Sequence, residues 1–230
     1  MNFSDRNIAS FFVDGATVLI VIGMIIHTTI YRKRNRLADR VFFEMLIIDI
    51  CMAVFDALVA VANGRTFKGA EFMNLSCMAL FYISQAIFGL LVLVYLLGKI
   101  IPDEKKVRKL IPILCLPDLA IMLMYLIGIP NGYFIAVDEN NRYFYSKLYA
   151  LPVAILCAYL LGAFVMAFIY RRRKDTTRYM PVWLYLIPVI AMIVVPYAFK
   201  GISLSAIGVA VIVAYMHIGE MNQAFFEEVR

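Results

Sequence analysis

Acidic residues interrupt one long hydrophobic stretch of the sequence at three places. Residues 41–63 read VFFEMLIIDICMAVFDALVAVAN and carry Glu44, Asp49 and Asp56. An ionisable side chain inside a membrane-spanning helix costs at least a few kcal/mol unless it meets a partner or water, so each one marks a candidate site. Asp49 and Asp56 are seven residues apart, which is two helical turns, and they therefore share one face. We expect that face to point into the interior of a helix bundle.

Polar residues also interrupt other hydrophobic stretches. Counted inward from the ends of the stretches, Asp14 lies at about the same depth as Asp56, so we expect the two to form one acidic site. Polar residues of the third and fourth stretches lie nearer the level of Asp49. The predicted ligand-binding residues are Asp56, Asp14, Tyr82, Gln85, Asp49 and Asp118. Such a polar column suits a cationic or hydrogen-bonding small ligand, although protonated Asp side chains that only lock helix packing account for the same pattern.

Histidine and cysteine give weaker patterns. His27 and His217 are the only two histidines, and at similar depth they could face each other as metal or haem ligands. A third ligand or a haem motif is lacking, so we predict no metal and no cofactor. The sequence carries no Ser-His pair, HExxH or paired-glutamate protease motif, and we predict that the chain is not an enzyme.

The composition indicates where these residues are placed. Hydrophobic residues make up 63% of the 230, charged residues only 17%, and the mean hydropathy is +0.83. These values are typical of an integral membrane protein, whose spans of about 20 residues must be helices or a closed barrel because lipid offers no partner to the backbone. The sequence favours an all-α membrane protein, a seven-transmembrane helix bundle. The predicted spans are residues 10–31, 41–63, 72–97, 110–129, 148–170, 180–199 and 202–222.

The distribution of basic residues predicts the orientation. Most of the 22 Lys and Arg residues fall in the loops at residues 32–40, 99–109 and 171–178. By the positive-inside rule these loops are cytoplasmic, which places the N-terminus outside and the C-terminus in the cytoplasm. The orientation of the chain in the lipid bilayer thus accounts for the net charge of +6, and we predict no nucleic-acid partner.

One loop has a pattern of its own. Residues 130–147 alternate aromatic and β-branched residues on both sides of an Asx-rich turn at residues 138–141. This period of two around a turn is typical of a β-hairpin. We predict an external β-hairpin between helices 4 and 5.

Two stretches resemble a known family. They are VDENNRYFYSKLY, residues 137–149, and FKGISLSAIGVAVIVAYMHIGEMNQ, residues 199–223. Both resemble the N-terminal seven-helix sensor regions of bacterial signalling proteins, chiefly GGDEF diguanylate cyclases and some sensor histidine kinases. The resemblance implies a multi-pass protein of the bacterial cytoplasmic (plasma) membrane whose last helix leads to a cytoplasmic effector. Tyr145-Ser146 stands where that family usually has an Arg-Gly pair, and no GGDEF or kinase core is present.

The end of the sequence predicts a signalling helix. Ile218, Met221, Phe225 and Val229 recur at steps of three and four residues, the spacing of a coiled-coil seam through which a homodimer would pair. A last helix that merely emerges and frays gives the same short pattern. We divide the chain into a sensor domain, residues 1–222, and the start of a cytoplasmic signalling helix, residues 223–230.

The functional hypothesis is a receptor that binds a small ligand in the outer half of the bundle and relays a helix movement to a cytoplasmic effector. A small transporter or proton- or cation-conducting protein that uses the intramembrane acids is the alternative. A scaffold subunit of a larger membrane complex is a third possibility.

Overall fold

The computed structural model describes residues 3–31, 36–101, 103–173 and 205–228. The predicted sixth span at residues 180–199 lies outside them. The described elements, in chain order, are α1 (Phe3–Tyr31), α2 (Leu37–Ala62), α3 (Ala70–Ile100), α4 (Glu104–Gly128), β1 (Ile135–Val137), β2 (Tyr143–Tyr145), a 3-10 turn (Lys147–Tyr149), α5 (Ala150–Arg173) and α6 (Ser205–Glu228).

Long apolar helices dominate this part of the chain, as predicted. Four of them are long and apolar enough to cross a membrane: Asn7–Ile30, Leu37–Ala62, Ala70–Lys99 and Glu104–Gly128. Helix α5 coincides with the predicted fifth span, and α6 contains the shorter apolar segment Ile207–Ile218. The helical membrane type is therefore supported, while the count of seven spans and their orientation stay predictions.

Helix α3 lies at the centre of the described bundle. In its membrane-spanning segment 72% of the residues are buried, against 22% in α1 and 17% in α4. It packs on α2, α4 and α5, whereas α1 and α6 pack on α2 and on each other. The core against α3 includes Phe42, Met45 and Met52 of α2, all completely buried. Because α3 is apolar on nearly all sides, α2, α4 and α5 pack around it, and α1 and α6 lie on the α2 side of the bundle.

The predicted β-hairpin is confirmed. β1 and β2 are antiparallel, and Ile135 pairs with Tyr145 and Val137 with Tyr143. The Asp138 carboxylate accepts hydrogen bonds from the N–H groups of Asn140, at 2.9 Å, and Arg142, at 2.8 Å, and so closes the turn. We call the end of the bundle that carries this hairpin and the α2–α3 loop, residues 63–69, the hairpin end.

Acidic side chains cap the helices at the opposite end. Glu104, in the first turn of α4, accepts a hydrogen bond from the N–H of Leu37 at 2.9 Å, and Asp39 accepts one from the N–H of Arg36 at 3.2 Å. Both bonds satisfy N–H groups at the start of α2 that have no partner within the helix. The starts of α2 and α4 are thereby joined.

Candidate ligand site

The buried face of α1 is polar in the half nearest the hairpin. Ser10, Asp14 and Thr17 are 6%, 1% and 0% exposed, and they recur at steps of four and three residues, the spacing of one helical face. The apolar residues Val21 and Met24 continue this face toward the opposite end. Since α1 packs on α2, the bundle encloses a polar stripe in the hairpin half of this face, followed by the apolar Val21 and Met24 and by the buried Thr28 toward the opposite end.

The structure brings Asp14 and Asp56 together. The side-chain amide of Asn7 donates a hydrogen bond to the carbonyl oxygen of Asn63 at 2.9 Å, which fixes the start of α1 beside the end of α2. Asp14 lies seven residues into α1 from Asn7, and Asp56 lies seven residues before Asn63, so both stand about 10 Å below that bond. Their carboxyl groups are close enough to interact electrostatically, and Asp56 is only 8% exposed.

Asp14 has unusual surroundings for a carboxyl group. Among the residues that the structure describes, neither of its buried oxygen atoms has a hydrogen-bond partner. Burial of a carboxylate away from water is costly unless a hydrogen bond, a proton or another positive charge compensates it. Since a second carboxyl group, that of Asp56, lies nearby, the site favours positively charged or proton-donating groups.

Tyrosine side chains lie beside this acidic pair. The hydroxyl of Tyr82, on α3, donates a hydrogen bond to the hydroxyl of Tyr145 and accepts one from that of Tyr149, both at 3.2 Å. The ring of Tyr82 stacks on Tyr125 with centroids 5.5 Å apart, and the rings of Tyr145 and Tyr149 stack at 4.1 Å. We call Tyr82, Tyr125, Tyr143, Tyr145 and Tyr149 the tyrosine cluster.

The hairpin tyrosines connect the cluster to the acidic pair. Tyr143 and Tyr145 both interact electrostatically with Asp56. Although Tyr145 is 51% exposed, its hydroxyl points inward at that of Tyr82. Burial of this hydroxyl, reinforced by Tyr149, raises the pKa of Tyr145 to about 12. Burial likewise raises the pKa of Tyr143 above its usual range, so both groups are uncharged at neutral pH.

The turn of the hairpin is fastened to the α2–α3 loop by Asn141. Its side-chain amide donates to the carbonyl oxygens of Ala62 and Arg65, both at 2.9 Å. Its own carbonyl oxygen accepts from the N–H of Gly64 at 2.9 Å and from the side-chain amide of Asn74 at 3.0 Å. Asn141 has a φ of 56°, a left-handed conformation that Asn tolerates better than most residues.

A second asparagine completes this attachment. The side-chain oxygen of Asn63, at the end of α2, accepts a hydrogen bond from the N–H of Tyr143 at 3.2 Å. We call Asn63, Asn74 and Asn141 the asparagine latch, and all three are at most 7% exposed. Sequence reasoning missed the latch. The available signal was Asn74, a polar residue near the start of a predicted span whose amide must find a partner when buried.

The other acids of the predicted set lie apart from the hairpin site. Asp49 of α2 is completely buried and shares the inward face with Asp56, as the spacing predicts. Neither of its oxygen atoms has a hydrogen-bond partner in the described ranges. Asp118 of α4 is 3% exposed and interacts with Tyr159 of α5, whose hydroxyl donates to the carbonyl oxygen of Leu114 at 2.7 Å.

Gln85 is half-buried on α3, and no hydrogen bond joins it to the acids among the described residues. Of the predicted set, the hairpin site therefore contains Asp14, Asp56 and Tyr82. Whether any of the six residues contacts a ligand stays a prediction.

The two histidines face each other near the opposite end of the bundle. Nε2 of His217, on α6, lies 3.0 Å from Nδ1 of His27, on α1, and the rings are nearly perpendicular. Phe42 of α2 stacks on His217 with centroids 5.9 Å apart. Two nitrogens that bind one metal at about 2 Å each would be about 3.3 Å apart in tetrahedral geometry and about 4 Å apart on opposite sides, so the observed spacing fits a hydrogen bond better. The pair joins α1 to α6.

Comparison with known proteins found no match to this chain. No protein-family model matches the chain, and neither curated proteins nor solved structures gave a match. The resemblance to bacterial sensor regions therefore depends on the two stretches quoted above.

Proposed function

We propose that this chain is a sensor domain of the bacterial plasma membrane. It binds a small ligand at the Asp14–Asp56 site and relays a helix movement to a cytoplasmic effector of the diguanylate cyclase or kinase type. One observation carries the proposal: α6 packs on α1 and α2, the two helices that hold the acidic pair. A ligand that alters the spacing of α1 and α2 acts directly on the helix nearest the C-terminus.

The relay uses the stiffness of α1. Asp14 and His27 are thirteen residues apart on one helix, about 20 Å along its axis. A ligand that draws Asp14 toward Asp56 tilts α1, and the 3.0 Å contact between His27 and His217 transmits the tilt to α6. The ligand shifts this equilibrium only by the difference in its affinity for the two arrangements.

The orientation and the effector belong to the same proposal. With the basic loops in the cytoplasm, the hairpin faces outward and α6 ends inside the cell. Helix α6 runs to Glu228, ten residues beyond its apolar segment, which supports a signalling helix. Ile218, Met221 and Phe225 form the proposed dimer seam, and Val229 lies outside the described residues.

A ligand screen coupled to a distance measurement tests the sensor function. Spin labels are attached at Ile30 of α1 and Tyr215 of α6, which are 66% and 38% exposed and lie outside the proposed dimer seam, after replacement of the native cysteines. A ligand that stabilises the parent but not Asp56→Asn should change the label distance by about 1–2 Å or more. Stabilisation with an unchanged distance would make the chain a binding protein without a relay.

The dimer has its own test. Single cysteines at Met221 or Phe225 should crosslink two copies in native membranes, whereas a cysteine at lipid-exposed Leu19 of α1 should not. Equal crosslinking at both places, or none at the seam, would remove the homodimer from the proposal.

Proton or cation conduction is the second candidate function. Asp49 and Asp118 favour it, since each is buried with no hydrogen bond to its carboxyl oxygens in the described part of the chain. Intramembrane acids of this kind mark ion or proton pathways in other membrane proteins. Flux into proteoliposomes that disappears in Asp49→Asn and persists in Asp56→Asn would favour conduction over the sensor.

A further inference from the structure

The hairpin site presents oxygen atoms from two helices. On α1, Ser10, Asp14 and Thr17 form the polar stripe, and on α2 the carboxyl group of Asp56 faces Asp14. The Thr17 hydroxyl donates its hydrogen to the carbonyl oxygen of Val13 at 2.9 Å, which leaves its lone pairs available to a further partner. Hydroxyl and carboxyl oxygens are the ligand atoms that alkali-metal ions prefer, and they are hydrogen-bond acceptors for ammonium groups.

No cationic side chain neutralises Asp14 in the described residues. The described basic residues of the hairpin end, Arg65, Lys68, Arg142 and Lys147, all have exposed side chains. Asp14 is 1% exposed and both its oxygens lack a hydrogen-bond partner among the described residues. Two neighbouring carboxyl groups in an apolar medium repel an anion and attract a cation, whereas a neutral ligand does not compensate a charge on Asp14.

The oxygen atoms of the site favour a ligand with a single positive charge. Among the described residues no group of three or more His, Cys, Asp or Glu comes together, whereas calcium takes six to eight oxygen ligands that usually include several carboxylates. The side chains of Asp14 and Asp56 are only 1% and 8% exposed, which favours a small ligand. Hydroxyl groups of Tyr143 and Tyr145 near Asp56 offer an ammonium group further hydrogen-bond acceptors and ring faces.

We propose that the Asp14–Asp56 site binds a small monovalent cation, either an alkali-metal ion or a protonated primary amine. This inference rests on the proposed sensor function and names the chemical class of its ligand. The cation lies between the carboxyl groups of α1 and α2 and draws them together, which is the displacement that the relay requires.

Thermal unfolding of the purified full chain at constant ionic strength tests this assignment. The probes are sodium chloride, potassium chloride and ethylamine hydrochloride, with choline chloride as the balancing salt. Propionamide and choline propionate serve as neutral and anionic probes of similar size, and calcium chloride as the divalent probe. The variants are Asp14→Asn and Asp56→Asn, with Glu139→Gln as the matched control, because Glu139 is an exposed acid of the hairpin turn.

At least one monovalent cation should raise the unfolding temperature of the parent and of Glu139→Gln saturably. At ten times its dissociation constant the rise should be about 3–6 °C. The rise should disappear in Asp14→Asn and in Asp56→Asn. A response to sodium or potassium alone identifies an alkali-metal ion, and a response to ethylamine alone identifies an amine. If one variant does not fold, the other decides by the same criterion.

Other results separate two failures. If propionamide, propionate or calcium gives the Asp56-dependent rise and the monovalent cations do not, the sensor site stands and its ligand class is wrong. If a monovalent cation stabilises both Asp→Asn variants as much as the parent, it binds elsewhere and the assignment is overturned. If neither these probes nor a broader ligand screen gives a response that depends on Asp14 or Asp56, the sensor function fails as well.

Discussion

The asparagine latch can be tested by shortening one side chain. In Asn141→Ala the carbonyl oxygens of Ala62 and Arg65 lose their 2.9 Å donors. Two net hydrogen bonds are worth about 1–3 kcal/mol. The alanine must also keep the φ of 56°, which costs an L residue roughly 1–2 kcal/mol more. The hairpin should therefore open more easily by about 2–5 kcal/mol.

Hydrogen exchange measures this opening directly. With the protein in lipid nanodiscs, peptides that cover residues 135–145 should exchange at least about 30-fold faster in Asn141→Ala, since each 1.4 kcal/mol is a factor of ten. Asn141→Gly removes the same hydrogen bonds without the strain, so its increase should be smaller. Asn140→Ala is the matched control, because Asn140 is an exposed neighbour whose hydrogen bond to Asp138 uses only its backbone N–H.

Two outcomes would contradict the role of the latch in holding the hairpin. If exchange of residues 135–145 in Asn141→Ala stays within about threefold of the Asn140→Ala control, the latch does not hold the hairpin in place. If exchange rises equally across α3, the substitution loosens the whole bundle and the effect cannot be assigned to the latch.

Three further predictions concern the packing beneath the hairpin. In Gly128→Ala the new methyl group would overlap the ring of Phe134, so the unfolding temperature should fall. In the control Gly162→Ala the new methyl group enters open space, so the unfolding temperature should stay unchanged or rise slightly. Equal effects of the two substitutions would contradict the close packing at Gly128. Tyr82→Phe removes both hydrogen bonds of the Tyr82 hydroxyl and should lower the free energy of unfolding by about 1–3 kcal/mol, with an unchanged value arguing against the network. Because the pKa of Tyr145 is raised to about 12 in the folded state, its contribution to stability is complete below pH 10 and is lost as the pH rises toward 12. The difference in unfolding temperature between the parent and Tyr145→Phe should therefore shrink over that pH window. A constant difference would contradict the raised pKa.

Local patterns in the sequence were sufficient for the helices and the hairpin. A period of two around an Asx-rich turn depends only on neighbouring residues, and it predicts a hairpin within residues 130–147, where the structure has the strands Ile135–Val137 and Tyr143–Tyr145. Depth along a span is also readable, since each helical residue advances by about 1.5 Å, and it brings Asp14 level with Asp56.

Rotation about a helix axis and contacts between distant segments could not be read in this way. The sequence placed Asp118 near the depth of Asp49 but could not predict its interaction with Tyr159 of α5, because depth does not determine which neighbour a side chain faces. The asparagine latch joins residues 67 to 80 positions apart in the sequence, and no local pattern encodes such pairs.

The burial of α3 determines where this protein can move at low energetic cost. With 72% of its spanning segment inside the bundle, α3 cannot turn or slide without repacking several neighbours at once. Helix α1, with only 22% of its spanning segment buried by the described residues, has fewer packed neighbours to rearrange when it tilts. Fluorescent or spin reporters are therefore best placed on the lipid side of α1, at residues such as Leu19, while α3 provides the stationary reference against which their displacement is measured.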